Sequence, residues 1–528
     1  MPKKSNPIIL SQIKSKVRVK ERGEVFTAER EVKAMCDLIP EEVWRDVTKT
    51  FLEPACGNGN FLVEIFERKL KYCKDEKDGL KALASIVGID IMQDNVEESR
   101  IRLMTMFCKA FPKASEASLL LASGILRNNI ICGDSLKIMK KWGGGMIYLD
   151  NAATTASNKE ALRIATQKYE ELFYNPSASY KHGAEVHALI EDCKRTILET
   201  LVNEEDITDY DIIFTGSGTE ADNLALSVIG GNIVYSNGEH AAVYNKAASQ
   251  PSRVIELFGK DDYSLSHVSG GLSELLNKLN CVVSVCHVNS EMGEITDICT
   301  YARKIKEKYP YILFHSDGVQ AYGKIPFKLT PDIDMYSISA HKIGGIKGVG
   351  ALVYRKEVKD RLRPIIYGGG QGNGLRSGTE NVLGIIDFAE AVKRWFRFDN
   401  EDDFYDRVRD AYPAAVLLQK KLWSLLDKRK FVRISPEDGS PYILTVSARG
   451  KNNEVIQKIL EEKYGILVGI GSACSSNHAE NKGRVLRALG YGDDIINGAL
   501  RFSFSPQTTV EEIRTAAKAV NEVVWSLS

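Results

Sequence analysis

The chain has 528 residues, 70 of them basic and 70 acidic, and a formal net charge of zero, so no global field favours nucleic acid or an anionic membrane. It is too long for one ordinary core, and two or three domains are expected. With 44% hydrophobic and 27% charged residues it has the balance of a soluble globular protein, and no apolar run approaches membrane-spanning length. The 10 cysteines are scattered, with no Cys-x-x-Cys pair and no histidine cluster at metal spacing. Cys281 and Cys286 read as buried small residues, no metal is expected, and a reducing cytoplasm is the natural compartment.

Met1-Pro2-Lys3-Lys4 is followed by no apolar segment and does not read as a secretory signal. The basic stretch Lys14 to Arg22 reads as a solvated tail ahead of a nucleic-acid contact. Phe51-Leu52-Glu53 is an apolar strand ending in an acid; a turn through Gly57-Asn58-Gly59 then leads into a helix opening at Asn60-Phe61-Leu62. Val87-Gly88-Ile89-Asp90 is a second strand ending in an acid, suited to a ribose, and Ile130-Ile131-Cys132-Gly133-Asp134-Ser135 is a third. The layout fits any nucleotide-binding βαβ unit, and its glycine spacing is not the G-x-G-x-x-G of dinucleotide binders.

This stretch resembles the S-adenosylmethionine-binding half of adenine-specific DNA methyltransferases. Gly23-Glu24-Val25-Phe26-Thr27 matches the segment that packs beside the cofactor there, with Ala28 where that family has proline. The resemblance implies a partial Rossmann-like domain in which Phe26, Thr27, Glu53, Asp90 and Asp134 are the S-adenosylmethionine contacts. The family also needs an Asn-Pro-Pro-aromatic motif after the third strand, to grip a flipped adenine. This chain instead meets Trp142 and Gly143-Gly144-Gly145, and its Asn-Pro pairs, Asn6-Pro7 and Asn175-Pro176, lie elsewhere. Residues 1–142 are therefore expected to be a truncated domain without methylation activity, its interrupted sheet leaving an open edge.

Residues 143–145 form a glycine linker, and a second part runs over 146–528. In it, strands such as Asp211-Ile212-Ile213-Phe214 and Val282-Val283-Ser284-Val285 alternate with helical stretches such as 220–229, which predicts an α/β domain with a mainly parallel sheet. Phe214-Thr215-Gly216-Ser217-Gly218-Thr219-Glu220 joins a strand to a helix; it is either a well-capped helix start or a phosphate cup. Phe314-His315-Ser316-Asp317 runs into an acid, and Ser337-Ile338-Ser339-Ala340-His341-Lys342 ends in a lysine before a glycine-rich stretch. A lysine able to form a Schiff base, preceded by an acid able to hold a pyridinium nitrogen, is the footprint of a pyridoxal phosphate enzyme. From about residue 400 the pattern turns helical and charged, then returns to short strands over 442–447, as in a smaller α+β domain. Gly471-Ser472-Ala473-Cys474-Ser475-Ser476 is a small, polar run carrying one thiol, the composition of an exposed loop with an accessible nucleophile.

Residues 147–528 resemble the fold-type-I cysteine desulfurases of the iron–sulfur-cluster and nitrogen-fixation type. The resemblance rests on Tyr148-Leu149-Asp150-Asn151-Ala152-Ala153-Thr154-Thr155, Asn175-Pro176-Ser177, Val288-Asn289-Ser290-Glu291-Met292-Gly293, Ser339-Ala340-His341-Lys342, Arg376-Ser377-Gly378-Thr379 and Leu500-Arg501-Phe502. One departure is Tyr180, where the family has a histidine, with His182 two places on. The resemblance implies a large pyridoxal phosphate domain over about 162–399 and a small domain from 146–161 plus 400–528. It implies that Lys342 holds the cofactor, Asp317 pairs with its ring nitrogen, Gln320 bonds the ring hydroxyl and His240 stacks on the ring. Gly218, Thr219, Ser339 and His341 would bind the phosphate, with Thr379 supplied by the partner of a homodimer. Asn175, Asn289 and Arg501 would hold the substrate carboxylate, and Cys474 would take the sulfur of L-cysteine as a persulfide, with Lys342 and His240 carrying protons. The sulfur would pass to an acceptor protein for iron–sulfur clusters or thio-modification. Rival readings are a selenocysteine lyase-like enzyme, sulfur delivery directed to nucleic acid by the front half, and a front half that is an inert relic of gene fusion.

Overall fold

The computed structural model describes Lys14, Arg18 and residues 26–135, 146–229, 231–250, 252–255, 281–396, 406–471 and 483–527. It divides into two compact units, residues 1–145 and 146–528.

In the first unit, β1 (Phe51–Glu53), β2 (Ile86–Asp90) and β3 (Ile130–Cys132) form a parallel sheet in that order. Parallel neighbours require crossovers. The helix α1 (Asn60–Leu70) buries Leu62, Ile65 and Phe66, and α2 (Gln93–Ala110) buries Val96, Leu103 and Phe107. Gly59 precedes α1 at φ +86°, and a Cβ there would lie 2.7 Å from Ser99 Oγ, so both conformation and space require glycine. Lys69 is wholly buried, with Nζ donating to the carbonyls of Val47 and Lys49 and to Ser85 Oγ; burial lowers its pKa to about 8. Among the described residues β1 has a strand neighbour on one side only, and its Leu52 is 43% exposed.

In the second unit β4 (Ile147–Leu149) starts the chain, and seven later strands form the main sheet. These are β5 (Tyr210–Thr215), β6 (Asn232–Ser236), β7 (Ser252–Ile255), β8 (Cys281–Ser284), β9 (Leu313–Asp317), β10 (Met335–Ser339) and β11 (Gly350–Arg355), in the order β5-β11-β10-β9-β8-β6-β7. β11 runs antiparallel to both its neighbours, and the other pairs are parallel. Alternate side chains face opposite layers. Val283 and Phe314 pack with α3 (Lys181–Leu201), α4 (Ile298–Lys308) and α5 (Val382–Phe396), whereas their neighbours Val282 and Leu313 pack with α6 (Gly218–Ala225) and α7 (Ala241–Ala248).

The helix expected over 220–229 stops at Ala225. Beyond it Val228 bridges Leu362, Arg363 N donates to Ser227 O and Ile229 N donates to Arg361 O, so sheet-like pairing claims the β-branched Val228 and Ile229.

The smaller lobe holds the antiparallel sheet β12 (Phe431–Arg433), β13 (Ile443–Ala448) and β15 (Ala499–Ser503), and the parallel pair of β4 with β14 (Ile466–Val468). Ile147 and Leu149 join this core beside Leu444, Leu460, Phe502 and Val520 although they come from the other end of the unit.

Candidate active site

β9 and β10 are parallel neighbours with Asp317 opposite Ser337, so Asp317, Ser339 and Lys342 emerge at the same edge of the sheet. Carboxyl ends of parallel strands are where open α/β sheets place their ligands. A cavity of about 240 Å³ opens there, lined by His240, Gly218, Thr219, Asp317, Gln320, Ser339, His341, Lys342 and Arg501 among others.

Each polar group in it is held from behind. Ser217 caps α6, its Oγ accepting from Glu220 N, which leaves the first N–H groups of the helix toward the cavity. β11 passes so close that a Cβ on Gly350 would lie 2.5 Å from the Ser217 carbonyl carbon. Ser339 Oγ is buried with no hydrogen-bond partner among the described residues, beside an exposed Thr219. His341 Nδ1 meets Thr154 Oγ1 at 3.1 Å, and burial, aided by Lys342, Lys324 and Lys347, lowers its pKa to about 4, so it is neutral at physiological pH.

His240 caps α7: its Nδ1 accepts from Ala242 N at 3.2 Å, which puts the ring proton on Nε2. The turn before it is tied down twice. Glu239 Oε1 accepts from Cys286 N at 2.7 Å, and Arg484 donates to the carbonyls of Asn237 and Glu239. Burial raises the Glu239 pKa to about 8.

Asp317 Oδ1 accepts from Val319 N at 2.9 Å, and burial raises its pKa against the pull of His240 and Lys342. Behind it lies Asp222, wholly buried and pushed well above the ordinary carboxyl range by burial and by the Asp317 charge. Burial raises both carboxyls, Asp222 further than Asp317, and His240 and Lys342 pull Asp317 toward its charged form. Lys342 Nζ donates to the carbonyls of Ala152 at 2.6 Å and Ala153 at 2.8 Å. Arg501 donates to Asp150 Oδ1 and Ser290 O, both at 2.8 Å, while its Nε is buried without a hydrogen-bond partner among the described residues.

These residues fit pyridoxal phosphate: a buried hydroxyl beside a helix amino terminus for the phosphate, a carboxyl group that a ring-nitrogen cation would ionise, and a lysine whose amine reaches the same space. Asp222, Glu239, Glu291 and Arg484 also border the cavity and went unnoticed in the sequence as site residues. Glu291 stands inside a family motif, and its Oε2 is buried without a hydrogen-bond partner among the described residues.

Three expected site residues lie elsewhere in this subunit. Asn289 is buried, with Nδ2 donating one hydrogen bond to Gly238 O and Oδ1 accepting from the N–H groups of Glu291 and Met292. Asn175 is exposed and turns its Oδ1 to Ser177 N, and Thr379 lines a separate cleft of about 630 Å³ with Pro176, Gln371 and Arg376. Cys474 lies outside the described residues, although Gly471 before it and Arg484 after it both line the cavity.

In the first unit Phe26 is buried and packs on Gly57, and Asn60 Nδ2 donates to Thr27 O. Asp90 has both oxygens engaged, Oδ2 by Gly57 N and Oδ1 by Met92 N and Asn95 Nδ2. Glu53 accepts from Ala55 N with its pKa raised by burial, and Asp134 is half-buried after β3. Asp90 thus holds the turn after β1 to β2 and the start of the following helix.

Comparison with known proteins agrees with this geometry. Residues 147–515 match the aminotransferase class-V family. A cysteine desulfurase IscS from Buchnera aphidicola is 33% identical over 402 residues, covering 72% of this chain and 93% of the relative. One from Dictyoglomus turgidum is 32% identical over 396 residues, covering 72% and 95%. Among solved structures, a NifS-like protein from Rickettsia africae superposes with a TM-score of 0.62 at 30% identity, covering 72% of this chain and 99% of its own. SspA in complex with cysteine gives 0.54 at 26% identity, covering 69% and 99%. The fold and the cavity define a class-V aminotransferase with the α/β architecture of pyridoxal phosphate enzymes. Within that class the chain belongs to the cysteine desulfurase family.

Proposed function

We propose that the cavity binds L-cysteine beside pyridoxal phosphate and converts it to L-alanine, the sulfur passing to Cys474 as a persulfide and then to an acceptor protein. The observation that carries this reading is the meeting of Lys342, Asp317, His240 and Arg501 in one cavity. A thiol and cysteine give a persulfide and alanine, so atoms and electrons balance without an external oxidant until the sulfur is delivered. Bound there, the cofactor supplies a conjugated ring that takes up the electron pair of the substrate α-carbon. Asp317 holds the proton at the ring nitrogen, while Ser339, Thr219 and His341 hold the phosphate. Arg501 orients the substrate carboxylate through its guanidinium, with Asp150 fixing the far side of the fork. Lys342 Nζ and His240 Nε2 move protons at the α-carbon and the sulfur.

The enzyme acts as a homodimer in this reading, which is supported by the place of Thr379 on a cleft apart from the cavity that holds Lys342. A cytoplasmic setting suits the described cysteines, all free thiols, and no helix among the described residues is long and apolar enough to cross a membrane. The first unit is a truncated relative of the adenine methyltransferases that takes no part in desulfuration.

The test is to purify the full chain, record its visible spectrum, add L-cysteine with a thiol reductant and follow alanine and sulfide. A yellow protein releasing both in equal amounts supports the assignment. A protein that stays colourless after incubation with pyridoxal phosphate would end it. Side-by-side turnover of selenocysteine separates the lyase-like alternative, which requires selenocysteine to be strongly preferred.

A further inference from the structure

Lys324 lies four residues after Gln320 in a run of tight turns where the N–H groups of Ala321 and Tyr322 donate to Gly318 O and that of Lys324 donates to Ala321 O. Gly323 at φ +72° turns the backbone back, and the two side chains meet. Lys324 is only 3% exposed. A buried ammonium is costly unless hydrogen-bonded, yet among the described residues one acceptor is bonded to Nζ, Gln320 Oε1 at 3.2 Å. On its other side the same amide donates from Nε2 to Ala152 O at 2.8 Å, and Ala152 O also accepts from Lys342 Nζ at 2.6 Å. Lys324, Gln320, Ala152 and Lys342 thus form a continuous polar chain into the cavity.

This chain leaves Gln320 no choice of orientation. Turning its amide over would set NH2 against the ammonium of Lys324 and the amide oxygen against a carbonyl oxygen, two repulsions in place of two hydrogen bonds. The second N–H of Nε2 is then fixed as a donor on the cavity side. We propose that Lys324 is a positioning residue for the reaction, locking Gln320 as a hydrogen-bond donor to the ring oxygen of the cofactor and so favouring release of the proton from Nζ of Lys342. The inference rests on the pyridoxal phosphate reading of the cavity and on the place that reading gives Gln320.

The titratable and charged groups facing this chain are Lys342 and Arg501 toward Lys324, Asp150 paired with Arg501, and Asp317, His240 and the neutral His341 around Lys342. Burial, with smaller contributions from Lys342 and Arg501, lowers the Lys324 pKa to about 7, so the clamp carries its charge from neutral pH downward. A lysine kept at that cost is accounted for by the amide it orients.

The test compares pH titrations of the visible band in the cofactor-loaded full chain for the parent, Lys324→Met, Gln320→Ala and the double variant. Losing both the clamp and a nearby positive charge should move the Lys324→Met midpoint up by about one pH unit. If Lys324 works through Gln320, the shift should fall to less than half in the Gln320→Ala background. An unchanged midpoint in Lys324→Met overturns the proposal, as does a full-size shift in both backgrounds or a band insensitive to pH in every protein. Should Lys324→Met fail to load cofactor, Gln320→Ala alone decides, since the same account requires its midpoint to rise by a similar amount. A colourless parent would instead mean that the pyridoxal phosphate reading itself has failed.

Discussion

Arg501→Lys separates substrate binding from scaffolding at the site. The native guanidinium spends Nη1 on Ser290 O and Nη2 on Asp150 Oδ1, each at 2.8 Å, and keeps a buried Nε with no partner in the described structure. Lysine preserves the charge but cannot hold both struts and also offer a donor to an incoming carboxylate. A hydrogen bond to a charged group contributes roughly 1.5–3 kcal/mol, and tenfold in binding corresponds to about 1.4 kcal/mol. Losing one such bond to the substrate should therefore raise KM for L-cysteine by roughly ten- to a hundredfold. The visible band of bound cofactor should remain, because the residues holding ring and phosphate are untouched. Steady-state alanine formation over a range of cysteine concentrations, with a thermal melt of the same protein, checks this. If Arg501 were only a strut between the strand β15 and residues 150 and 290, the melt would fall and KM would not move. That pattern would refute the role given to it here.

Cys474→Ala should retain cofactor colour and the spectral response to L-cysteine while alanine formation falls by at least a hundredfold (about 2.7 kcal/mol or more of transition-state stabilisation), which single-turnover alanine assays measure. Asp317→Ala should lose most turnover at saturating cysteine, because nothing else then keeps the ring nitrogen protonated; a kcat within a few-fold of the parent would contradict that. Deleting residues 1–145 should leave cysteine turnover within about twofold, and the full chain should transfer no labelled methyl group to unmethylated DNA; failure of either would show a working first unit. His315 is fully buried with Ser284 Oγ and Ser337 Oγ each at 2.9 Å, and burial lowers its pKa from 6.5 to about 3. The unfolded chain then binds the proton first, so this contribution to stability is complete above about pH 6.5 and is lost progressively toward pH 3. Thermal melts over that range should show a steeper acid loss for the parent than for His315→Gln.

Much of the site was legible because the chemistry sits at strand ends. Asp317 and Lys342 are far apart in the chain, yet the parallel pairing of β9 with β10 brings them to one edge, and an apolar run ending in an acid or a lysine announces such an edge in the sequence. The capped start of α6 was readable for the same reason, since Gly-Thr-Glu after a strand has a local physical meaning. The turn bonds of Asn175 and Asn289 were not readable, because an asparagine in a motif looks the same in sequence whether or not its side-chain oxygen accepts from a nearby backbone N–H. Asp222, Glu239 and Lys324 were hidden because their burial is a tertiary fact. Each reads locally as an ordinary charged residue near a helix start or a turn. Among the described residues β1 has one strand neighbour, and the engagement of Asp90 by Gly57 N of the turn after β1 and by Met92 N was not readable in the sequence.

The most direct test of the central claim is a single-turnover experiment on the purified, cofactor-loaded full chain with L-cysteine and no reductant. Alanine should appear in an amount equal to the active sites, with one sulfur added as a persulfide in the peptide containing Cys474 and none added elsewhere. Alanine without sulfur on that peptide, or sulfur on a different cysteine, would contradict the account.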